Sequence, residues 1–407
     1  MHKRLAIATL PLFLAGCGGG GDQGLPGLGG LSALEPLVSE EDPDAERLVA
    51  FGRRLFHEDR LSLDGERSCA SCHIPWKAYG GRSIRRVGGG RVDTPALLGV
   101  GRRSVFGWRA QWSSLTSAVA HPFGEVDGFG GSNVAVKRAF AQDESLRDDF
   151  EQALGRAPST DDRELLDGVV EALLAFVQQL DDVGTPFDLA TADPVGAPLA
   201  SDAIRGWGVF RDEGCVDCHP APAFTDESLR WHGIPLDEEE RESFEEGDPL
   251  GELVERDDDR RPDEYRTPSL RNVTRTAPYG HDGRFTTLDD VFDYYVQGAS
   301  THRAETGLSE VTLSPTKRAD LRAFLSALET PPLGPSKTGE TVFVPSGESN
   351  VEGRPREAAA RRDDEASIRP AQAPTAERTR ARQRRMRRGG EGAEPSPEKP
   401  EPNDGER

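Results

Sequence analysis

The sequence predicts a mainly α-helical fold made of two similar modules, and three observations lead to this prediction. The pattern Cys-x-x-Cys-His occurs twice, at residues 69–73 and 215–219. Each copy follows a segment whose apolar residues recur at helical spacing. We find no convincing run of alternating apolar and polar residues that would indicate a strand. The two halves of the chain therefore form an internal repeat at the level of sequence.

The N-terminus predicts an exported protein. Three residues, His2-Lys3-Arg4, precede an apolar stretch over 5–14 that is too short to span a bilayer. Cys17 follows Leu-Ala-Gly and resembles the lipid-attachment site of bacterial lipoproteins, the alternative being an ordinary signal peptide with Cys17 as a free thiol. We therefore expect a signal peptide over 1–17, a Gly-rich tether over 18–40, and a protein of the periplasm or cell envelope held to a membrane by a lipid on Cys17.

The first module, predicted over 41–190, is defined by two amphipathic helices. A helix over 44–59 carries Leu48, Phe51, Leu55 and Phe56 along one side. Residues 80–106 are rich in Gly and Arg and predict loops. The strongest amphipathic helix covers 161–181. Its expected buried stripe consists of Leu166, Val169, Val170, Leu173 and Val177.

The second module, predicted over 191–333, repeats this plan after a linker at 182–200 that is rich in Pro, Gly and Ala. A helix with Ser201 as candidate N-cap ends at Gly214, directly before the second motif. Two more helices are expected, with Thr287 and Ser314 as N-caps. Residues 334–407 have few large apolar side chains and predict a disordered, charged tail.

The net charge of the chain limits the kinds of molecule that it is expected to bind. The chain of 407 residues has a formal net charge of −21, which argues against binding to nucleic acid. An acidic surface suits a cationic partner instead. The sequence does not determine the oligomeric state, and a dimer stays an open alternative.

The repeated Cys-x-x-Cys-His motif predicts covalent attachment of two c-type haems. Two thiols one helical turn apart can bond the two vinyl groups of one haem, and the adjacent His then binds the iron. A zinc site made of both Cys pairs would leave the His after each pair unexplained. A thioredoxin-like pair needs a βαβ context, and disulfides between such close cysteines are uncommon. The haem-binding residues are therefore Cys69, Cys72, His73, Cys215, Cys218 and His219, with His73 and His219 as iron ligands.

The amino-acid composition limits which residues can be the sixth ligand of each iron. The two methionines, Met1 and Met386, lie in the predicted signal peptide and tail. Neither haem should therefore have the Met ligand that gives electron-transfer cytochromes a high potential. An open sixth position is an alternative, and it would permit chemistry on a small molecule. The remaining candidate ligands are a Tyr and His57, His121, His232, His281 and His302.

Several motifs, in order, resemble the bacterial di-haem cytochrome c peroxidases and their MauG-like relatives. They are "LVAFGRRLFHEDRLSLDGERSCASCH", "VDTPALLGV", "FRDEGCVDCHPAPAFTD" and "YRTPSLRNVTRTAPYGHDGRFTTLDDVFDYY". The last is the most specific, and "LRAFLSAL" follows it in the final predicted helix. The resemblance covers residues 44–330. It implies a peroxidatic haem in the first module and an electron-transfer haem in the second.

The resemblance also implies a Tyr ligand for the second haem. In this family the sixth ligand follows the "TL" of the "HDG…TL" stretch by seven residues, which gives Tyr295. Tyr at this place is similar to MauG-like members, whereas peroxidases that accept electrons from cytochromes carry Met. The alternative is a half-buried helix aromatic. His281 belongs to the "HDG" and is expected to support the second haem pocket.

Catalytic candidates follow from the same resemblance. The family has a Trp between the haems in a stretch like "GWDGRADSL", and "GWRAQWSSL" here places Trp108 at that position, with Trp112 close by and core packing as the alternative. Cleavage of peroxide needs a group that moves a proton between its oxygens. The family uses a Glu after a Pro, which indicates Glu125 first and Asp127 second. His121 is an additional candidate.

Two further expectations concern activation and calcium. Family members that need reductive activation hold a His over the first haem, in the loop after the first motif. Residues 74–92 contain no His, so the first haem should be open at rest. Asp93 stands where the family has an Asn that binds Ca²⁺, and a carboxylate is also a competent ligand.

The sequence thus predicts a di-haem c-type peroxidase, an oxidoreductase that reduces hydrogen peroxide with electrons from a donor protein (a cytochrome or a cupredoxin) or another reductant. The first rival is a MauG-like oxidase that modifies side chains of a partner protein, which Tyr295 favours. The second rival is a non-enzymatic di-haem electron carrier, against which the open first haem and the absent Met ligands count.

Overall fold

The computed structural model describes residues 43–81, 83–86, 89–124, 133–234, 264–297, 308 and 310–331, with the backbone alone at 83–86 and 89–90. Helices dominate this part of the chain, as predicted. None of the described helices is long and apolar enough to cross a membrane. The helices are Pro43–Phe56, Cys69–Cys72, Leu115–Gly124, Asn133–Gln142, Glu144–Leu154, Asp162–Gln178, Pro186–Ala192, Ser201–Asp212, Leu288–Val296 and Pro315–Ser326.

Two hydrophobic cores are present, one for each Cys-x-x-Cys-His motif. The first is built around Phe51, Leu55, Phe150, Leu173 and Phe176, and it includes residues from 51 to 180. The second includes residues from 187 to 328. Its centre is a group of mutually contacting aromatic rings, and these are Phe187, Trp207, Phe210, Phe224 and Phe324.

A glycine lets the same two helices cross closely in each module. A Cβ added to Gly52 would lie 1.9 Å from the carbonyl oxygen of Ala172, on helix Asp162–Gln178. A Cβ added to Gly206 would lie 1.9 Å from the carbonyl oxygen of Asp320, on helix Pro315–Ser326. Only a residue without a side chain allows these crossings. The same close helix crossing at a glycine in both modules supports the internal repeat that the sequence predicted.

Most predicted helices are confirmed, with shifted ends. The helix expected over 44–59 spans Pro43–Phe56, and the one expected over 161–181 spans Asp162–Gln178. The side-chain hydroxyls of Thr287 and Ser314 accept hydrogen bonds from backbone N–H groups at the starts of their helices, as expected of N-caps. Ser201, predicted as an N-cap, is instead the first residue of its helix, after Ala200.

Three local predictions were wrong. The region expected to form loops contains an antiparallel pair of strands, Ser83–Arg86 and Gly89–Asp93. The expected linker contains helix Pro186–Ala192, which begins with a capping box between Thr185 and Asp188. Within helix Asp162–Gln178, Leu165 is buried and Leu166 is only half-buried. At the N-terminal end of this helix the buried stripe therefore contains Leu165 and not the predicted Leu166. A second short pair, Leu229–Arg230 with Tyr265–Arg266, was not predicted either.

Candidate haem and peroxide site

Each motif ends in a short loop that fixes the ring of its histidine. Nδ1 of His73 lies 3.0 Å from the carbonyl oxygen of Tyr79, and Nδ1 of His219 lies 3.0 Å from that of Phe224. A ring N–H that donates to a backbone carbonyl fixes the tautomer and leaves Nε2 as the nitrogen able to bind a metal. Tyr79 and Phe224 both have positive φ, 59° and 52°. This strained conformation is the backbone cost of turning each carbonyl back towards its histidine.

The protonation of these groups suits haem attachment. Burial lowers the pKa of His73 to about 4, while backbone hydrogen bonds to Tyr79 and Pro95 act in the opposite direction. Burial also lowers the pKa of His219, opposed in part by backbone hydrogen bonds to Phe224 and Pro268. Neutral imidazole is the form that binds metal. Because Pro95 acts on His73 and Pro268 acts on His219, the Thr-Pro pairs at 94–95 and 267–268 lie at equivalent places in the two modules.

The four motif cysteines are free thiols and do not form disulfides with one another. Burial raises the pKa of Cys69 and of Cys215 to about 12 in each case. Burial raises the pKa of Cys218 as well. Thiols of this kind are poor nucleophiles, which argues against a thioredoxin-like redox pair. Free thiols one turn apart beside a neutral, oriented histidine fit the covalent attachment of a haem at each motif.

The second motif is surrounded by further aromatic and histidine side chains. The pKa of Tyr295 is raised, first by burial and then by the nearby thiols of Cys215 and Cys218 and by Tyr294. Tyr295 therefore lies beside the second motif, where the sequence placed it. Tyr294, its neighbour, instead donates a hydrogen bond from its hydroxyl to the carbonyl oxygen of His232, at 2.6 Å.

His232 also belongs to this pocket. Burial lowers its pKa to about 4, and His219, Arg230 and His281 lower it further through their charges. The sequence offered His232 as one of several sixth-ligand candidates without singling it out. The spacing of these residues along the chain did not indicate that His219 and His281 would act on His232.

A seam of hydrogen bonds joins the two modules. The indole Nε1 of Trp108 donates to the carbonyl oxygen of Asp93 at 2.7 Å. The backbone N–H of Asp93 donates to the carbonyl oxygen of His281 at 2.7 Å. The backbone N–H of Arg266 donates to the carbonyl oxygen of Trp108, also at 2.7 Å. Trp108 therefore lies at the contact between the modules.

His281 is buried in this seam and stacks on Tyr265. The two ring centroids are 3.7 Å apart and the ring planes differ by 10°. The guanidinium of Arg109 lies over Tyr265, 5.5 Å from its ring centroid. Tyr265 and Arg109 had no place in the sequence-based site, and these two residues are more than 150 positions apart in the chain.

Buried positive charge is concentrated at the same seam. Burial, together with the charge of Arg103, lowers the pKa of Arg266 to about 9, while Glu227 acts in the opposite direction. Burial also lowers the pKa of Arg103. Within the described residues Arg266 donates only to backbone carbonyls, those of Gly107 and Thr267. Asp182 and Glu227 oppose the shift at Arg103, and Glu227 opposes it at Arg266, so an anionic group nearby would be favourable mainly beside Arg266.

The predicted calcium ligand Asp93 has a buried carboxyl group. Its Oδ1 accepts no hydrogen bond from the described residues. Burial raises its pKa to about 8, with the charge of Lys77 opposing this and that of Asp282 adding to it. The described residues nevertheless contain no cluster of three or more acidic, Cys or His side chains that could hold a metal ion.

Two of the three distal candidates, Glu125 and Asp127, lie outside the described residues. The third, His121, is on helix Leu115–Gly124, and its ring centroid is 4.8 Å from that of Trp112. The indole Nε1 of Trp112 is buried and has no hydrogen-bond partner in the described part of the chain. Trp112 packs against the first core, whereas Trp108 is at the seam. The lipid-anchor candidate Cys17 also lies outside the described residues.

Comparison with known proteins identifies the family. The family model described as "Di-haem cytochrome c peroxidase" matches residues 46–193. The methylamine utilization protein MauG of Methylorubrum extorquens is 30% identical over 299 residues, which cover 72% of this chain and 80% of that protein. The chain belongs to the di-haem cytochrome c peroxidase family. This confirms the family and the fold class that the sequence predicted.

Other family members match over most of their length. The cytochrome-c peroxidase IdrP1 of Denitromonas iodatirespirans is 29% identical over 366 residues, covering 81% of this chain and 94% of that protein. Among solved structures, a MauG-like protein associated with microbial copper homeostasis is 23% identical, with a TM-score of 0.58, and covers 74% of this chain and 93% of its own. The di-haem peroxidase BthA of Burkholderia thailandensis is 22% identical with the same TM-score. At these identities the solved structures support the fold alone.

Proposed function

We propose that this protein is a di-haem c-type peroxidase, which reduces hydrogen peroxide to two molecules of water with two electrons and two protons. The observation that carries the proposal is the pair of matching loops, in which His73 and His219 are each oriented by a backbone carbonyl beside two free thiols. Family membership supports the same reading, because relatives are named cytochrome-c peroxidases.

The residues that would hold the two haems can be named. Cys69 and Cys72 would bond the first haem, with His73 as ligand to its iron, and this haem would supply the iron that peroxide binds. Cys215, Cys218 and His219 would hold the second haem. The buried guanidinium groups of Arg103 and Arg266 suit the carboxylates that every haem carries.

Proton transfer in the first module needs a group beside the bound peroxide. Cleavage of the O–O bond of peroxide requires a proton to move from one oxygen to the other. Glu125 or Asp127 is proposed for this task, with His121 as an additional group. His121 would be held in orientation by its ring contact with Trp112.

Trp108 is proposed to pass electrons between the modules. It lies at the seam, with its indole N–H bonded to Asp93 and its carbonyl bonded to Arg266. Tyr295 is proposed as sixth ligand of the second iron, and His281 as a support of that pocket through its stacking on Tyr265. Asp93 is proposed as a ligand of one Ca²⁺ at the seam.

Location and partners complete the proposal. The protein is placed in the periplasm or cell envelope, anchored through a lipid on Cys17. Its electrons would come from a donor protein, a cytochrome or a cupredoxin, or from another reductant.

The test is the optical and EPR spectrum of the purified ferric protein, before and after addition of hydrogen peroxide. One high-spin and one low-spin haem, with a rapid change on adding peroxide and no prior reduction, are expected. Two low-spin haems that do not react with peroxide would exclude the proposal and would leave a di-haem electron carrier.

A second candidate function is oxidation of side chains on a partner protein, as a MauG-like enzyme. The observation that favours it is Tyr295, which lies beside the second motif where cytochrome-dependent peroxidases carry Met. Steady-state assays separate the two functions. Turnover of peroxide with a reduced cytochrome supports the peroxidase. A protein that reacts with peroxide but accepts no electrons from cytochrome c, a cupredoxin or a small reductant would favour the MauG-like function.

A further inference from the structure

The loop after the first motif displays a tryptophan to solvent. Trp76 is 60% exposed, and it lies in the short helical turn Pro75–Lys77, three residues after His73. An indole is amphipathic and is highly buried on average in folded proteins. Its exposure here needs a reason other than packing.

The loop holds Trp76 rigidly. The N–H groups of Lys77 and Tyr79 both donate to the carbonyl oxygen of Ile74, at 2.9 and 3.0 Å. Ala78 and Tyr79 have positive φ, 54° and 59°, a costly conformation for residues other than Gly. The same backbone that brings the Tyr79 carbonyl to His73 therefore turns Trp76 outward.

Lys77 anchors this turn to the rest of the molecule. Its Nζ donates to the carbonyl oxygens of Gly81 and Ala277, each at 3.0 Å. Ala277 belongs to the second module, 200 positions along the chain. The turn that contains Trp76 is therefore held by hydrogen bonds within its own loop and by one to the second module. The indole is exposed on an ordered turn.

The second module provides an internal comparison. Its loop orients the histidine in the same way but is one residue shorter, with Nδ1 of His219 bonded to the carbonyl oxygen of Phe224. Between these two residues it carries the sequence Pro-Ala-Pro-Ala, at 220–223, with no aromatic side chain. The loop geometry therefore does not require an aromatic residue. The exposed indole is a feature of the module to which the proposed function assigns peroxide.

We propose that Trp76 is a redox-active surface residue at which small electron-rich aromatic reductants, such as phenols, deliver electrons to the first haem module. This inference rests on the proposed peroxidase function and identifies a class of reductant for it. Indole is a readily oxidised side chain, and Trp76 presents its ring at the surface of this module.

A small donor suits the surface better than a protein does. One exposed ring offers stacking contact for one aromatic ring of a small molecule. A stable protein interface buries about 1,600 Å² in total. The flanking residues Pro75 and Lys77 are only partly exposed, so they extend the apolar surface little.

The electrons balance as follows. Reduction of one hydrogen peroxide to two waters removes two electrons from the protein and takes up two protons. The indole of Trp76 loses one electron towards the first module. A phenol in contact with it then gives one electron to the oxidised indole, releases one proton to solvent and leaves as a phenoxyl radical. Two phenols restore the protein for each peroxide.

The experiment compares the holoprotein with Trp76→Phe, which keeps an apolar ring but removes the readily oxidised indole. The matched control is Leu63→Ala, because Leu63 is another exposed apolar residue of this module, at 48%. The donor is 2,6-dimethoxyphenol. We expect kcat/KM for the phenol to fall by about tenfold or more in Trp76→Phe and to stay unchanged in Leu63→Ala. The initial spectral change on adding peroxide alone should appear at the same rate in all three proteins.

A second measurement is independent of turnover. After peroxide is added without a donor, peptide mass spectrometry should find one or two oxygen atoms added to Trp76, and less when the phenol is present. Equal phenol turnover in Trp76→Phe, or an unmodified Trp76, would overturn the proposal. A defect confined to a protein donor would also overturn it. A wild-type protein inert to peroxide would instead exclude the proposed function itself.

Discussion

The indole Nε1 of Trp108 and the carbonyl oxygen of Asp93 are 2.7 Å apart, and they form a hydrogen bond at the seam between the two modules. The N–H of the same Asp93 donates to the carbonyl of His281 in the second module. One residue therefore connects the indole to the second module through two hydrogen bonds. This arrangement makes the proposed relay role of Trp108 accessible to experiment.

Replacement of Trp108 by Phe should separate the responses of the two haems to peroxide. Phe keeps an aromatic ring at the seam but loses the readily oxidised indole and its hydrogen bond to Asp93. We expect the spectral change of the second haem in stopped-flow absorption to slow by about tenfold or more, while that of the first haem persists. Trp112→Phe is the control, since Trp112 packs on the first core. Equal rates in wild type and Trp108→Phe would contradict the relay.

Replacement of Tyr295 by Met should raise the reduction potential of the second haem. Met ligation favours the reduced iron relative to an oxygen ligand. We expect an increase on the order of 0.1 V, a fraction of the roughly 0.8 V range that axial ligands span. Potentiometric titration followed by absorption measures it. Tyr294→Phe is the control, because the Tyr294 hydroxyl is bonded to the carbonyl of His232. An unchanged potential in Tyr295→Met would show that Tyr295 does not bind the iron.

Calcium should stabilise the wild-type protein through Asp93. A ligand that binds only the folded state at 100 times its Kd adds about 2.7 kcal/mol to the free energy of unfolding. We expect thermal unfolding of the chelator-treated holoprotein to shift upward on adding Ca²⁺, and Asp93→Asn to lose most of that shift. Glu171→Gln, at an exposed position, is the control and should respond as wild type does. A calcium effect that persists fully in Asp93→Asn would place the ion elsewhere.

Neutralising Asp188 should strongly destabilise the fold. The two oxygens of this buried carboxylate accept hydrogen bonds from Nη1 and Nη2 of Arg271, at 2.9 and 2.6 Å. Both side chains are at most 5% exposed, so Asp188→Asn leaves a buried guanidinium without its counter-charge. We expect a loss of about 3 kcal/mol or more in the free energy of unfolding, measured with urea.

The control for Asp188 is an exposed ion pair. Arg156 and Glu171 are 3.4 Å apart with both side chains about half exposed. Arg156→Gln should cost less than about 1 kcal/mol, because solvent screens such pairs. Similar losses in Asp188→Asn and Arg156→Gln would contradict the importance assigned to the buried pair.

Features encoded by neighbouring residues were predictable from the sequence. The two Cys-x-x-Cys-His motifs, and the N-caps Thr287 and Ser314, depend on spacings of a few residues. Tyr295 was placed by counting along one helix, and the structure puts it beside the second motif. Its role as ligand remains a prediction.

Features that depend on distant residues were not predictable. The ion pair of Arg271 with Asp188 joins residues 83 positions apart, and no local motif indicates the stack of Tyr265 on His281. The strands Ser83–Arg86 and Gly89–Asp93 were missed for a different reason. Their residues are mostly Gly and Arg, so they lack the alternation of apolar and polar side chains that identifies a half-buried strand.

The seam between the modules is made in part from backbone groups. The N–H of Asp93 bonds to the carbonyl of His281, and the N–H of Arg266 bonds to the carbonyl of Trp108. Backbone donors and acceptors are present whatever the side chains are. A seam of this kind tolerates sequence divergence on either side, so halves from different relatives could be joined into chimaeras that still dock. The two haem environments can then evolve, or be engineered, as exchangeable parts.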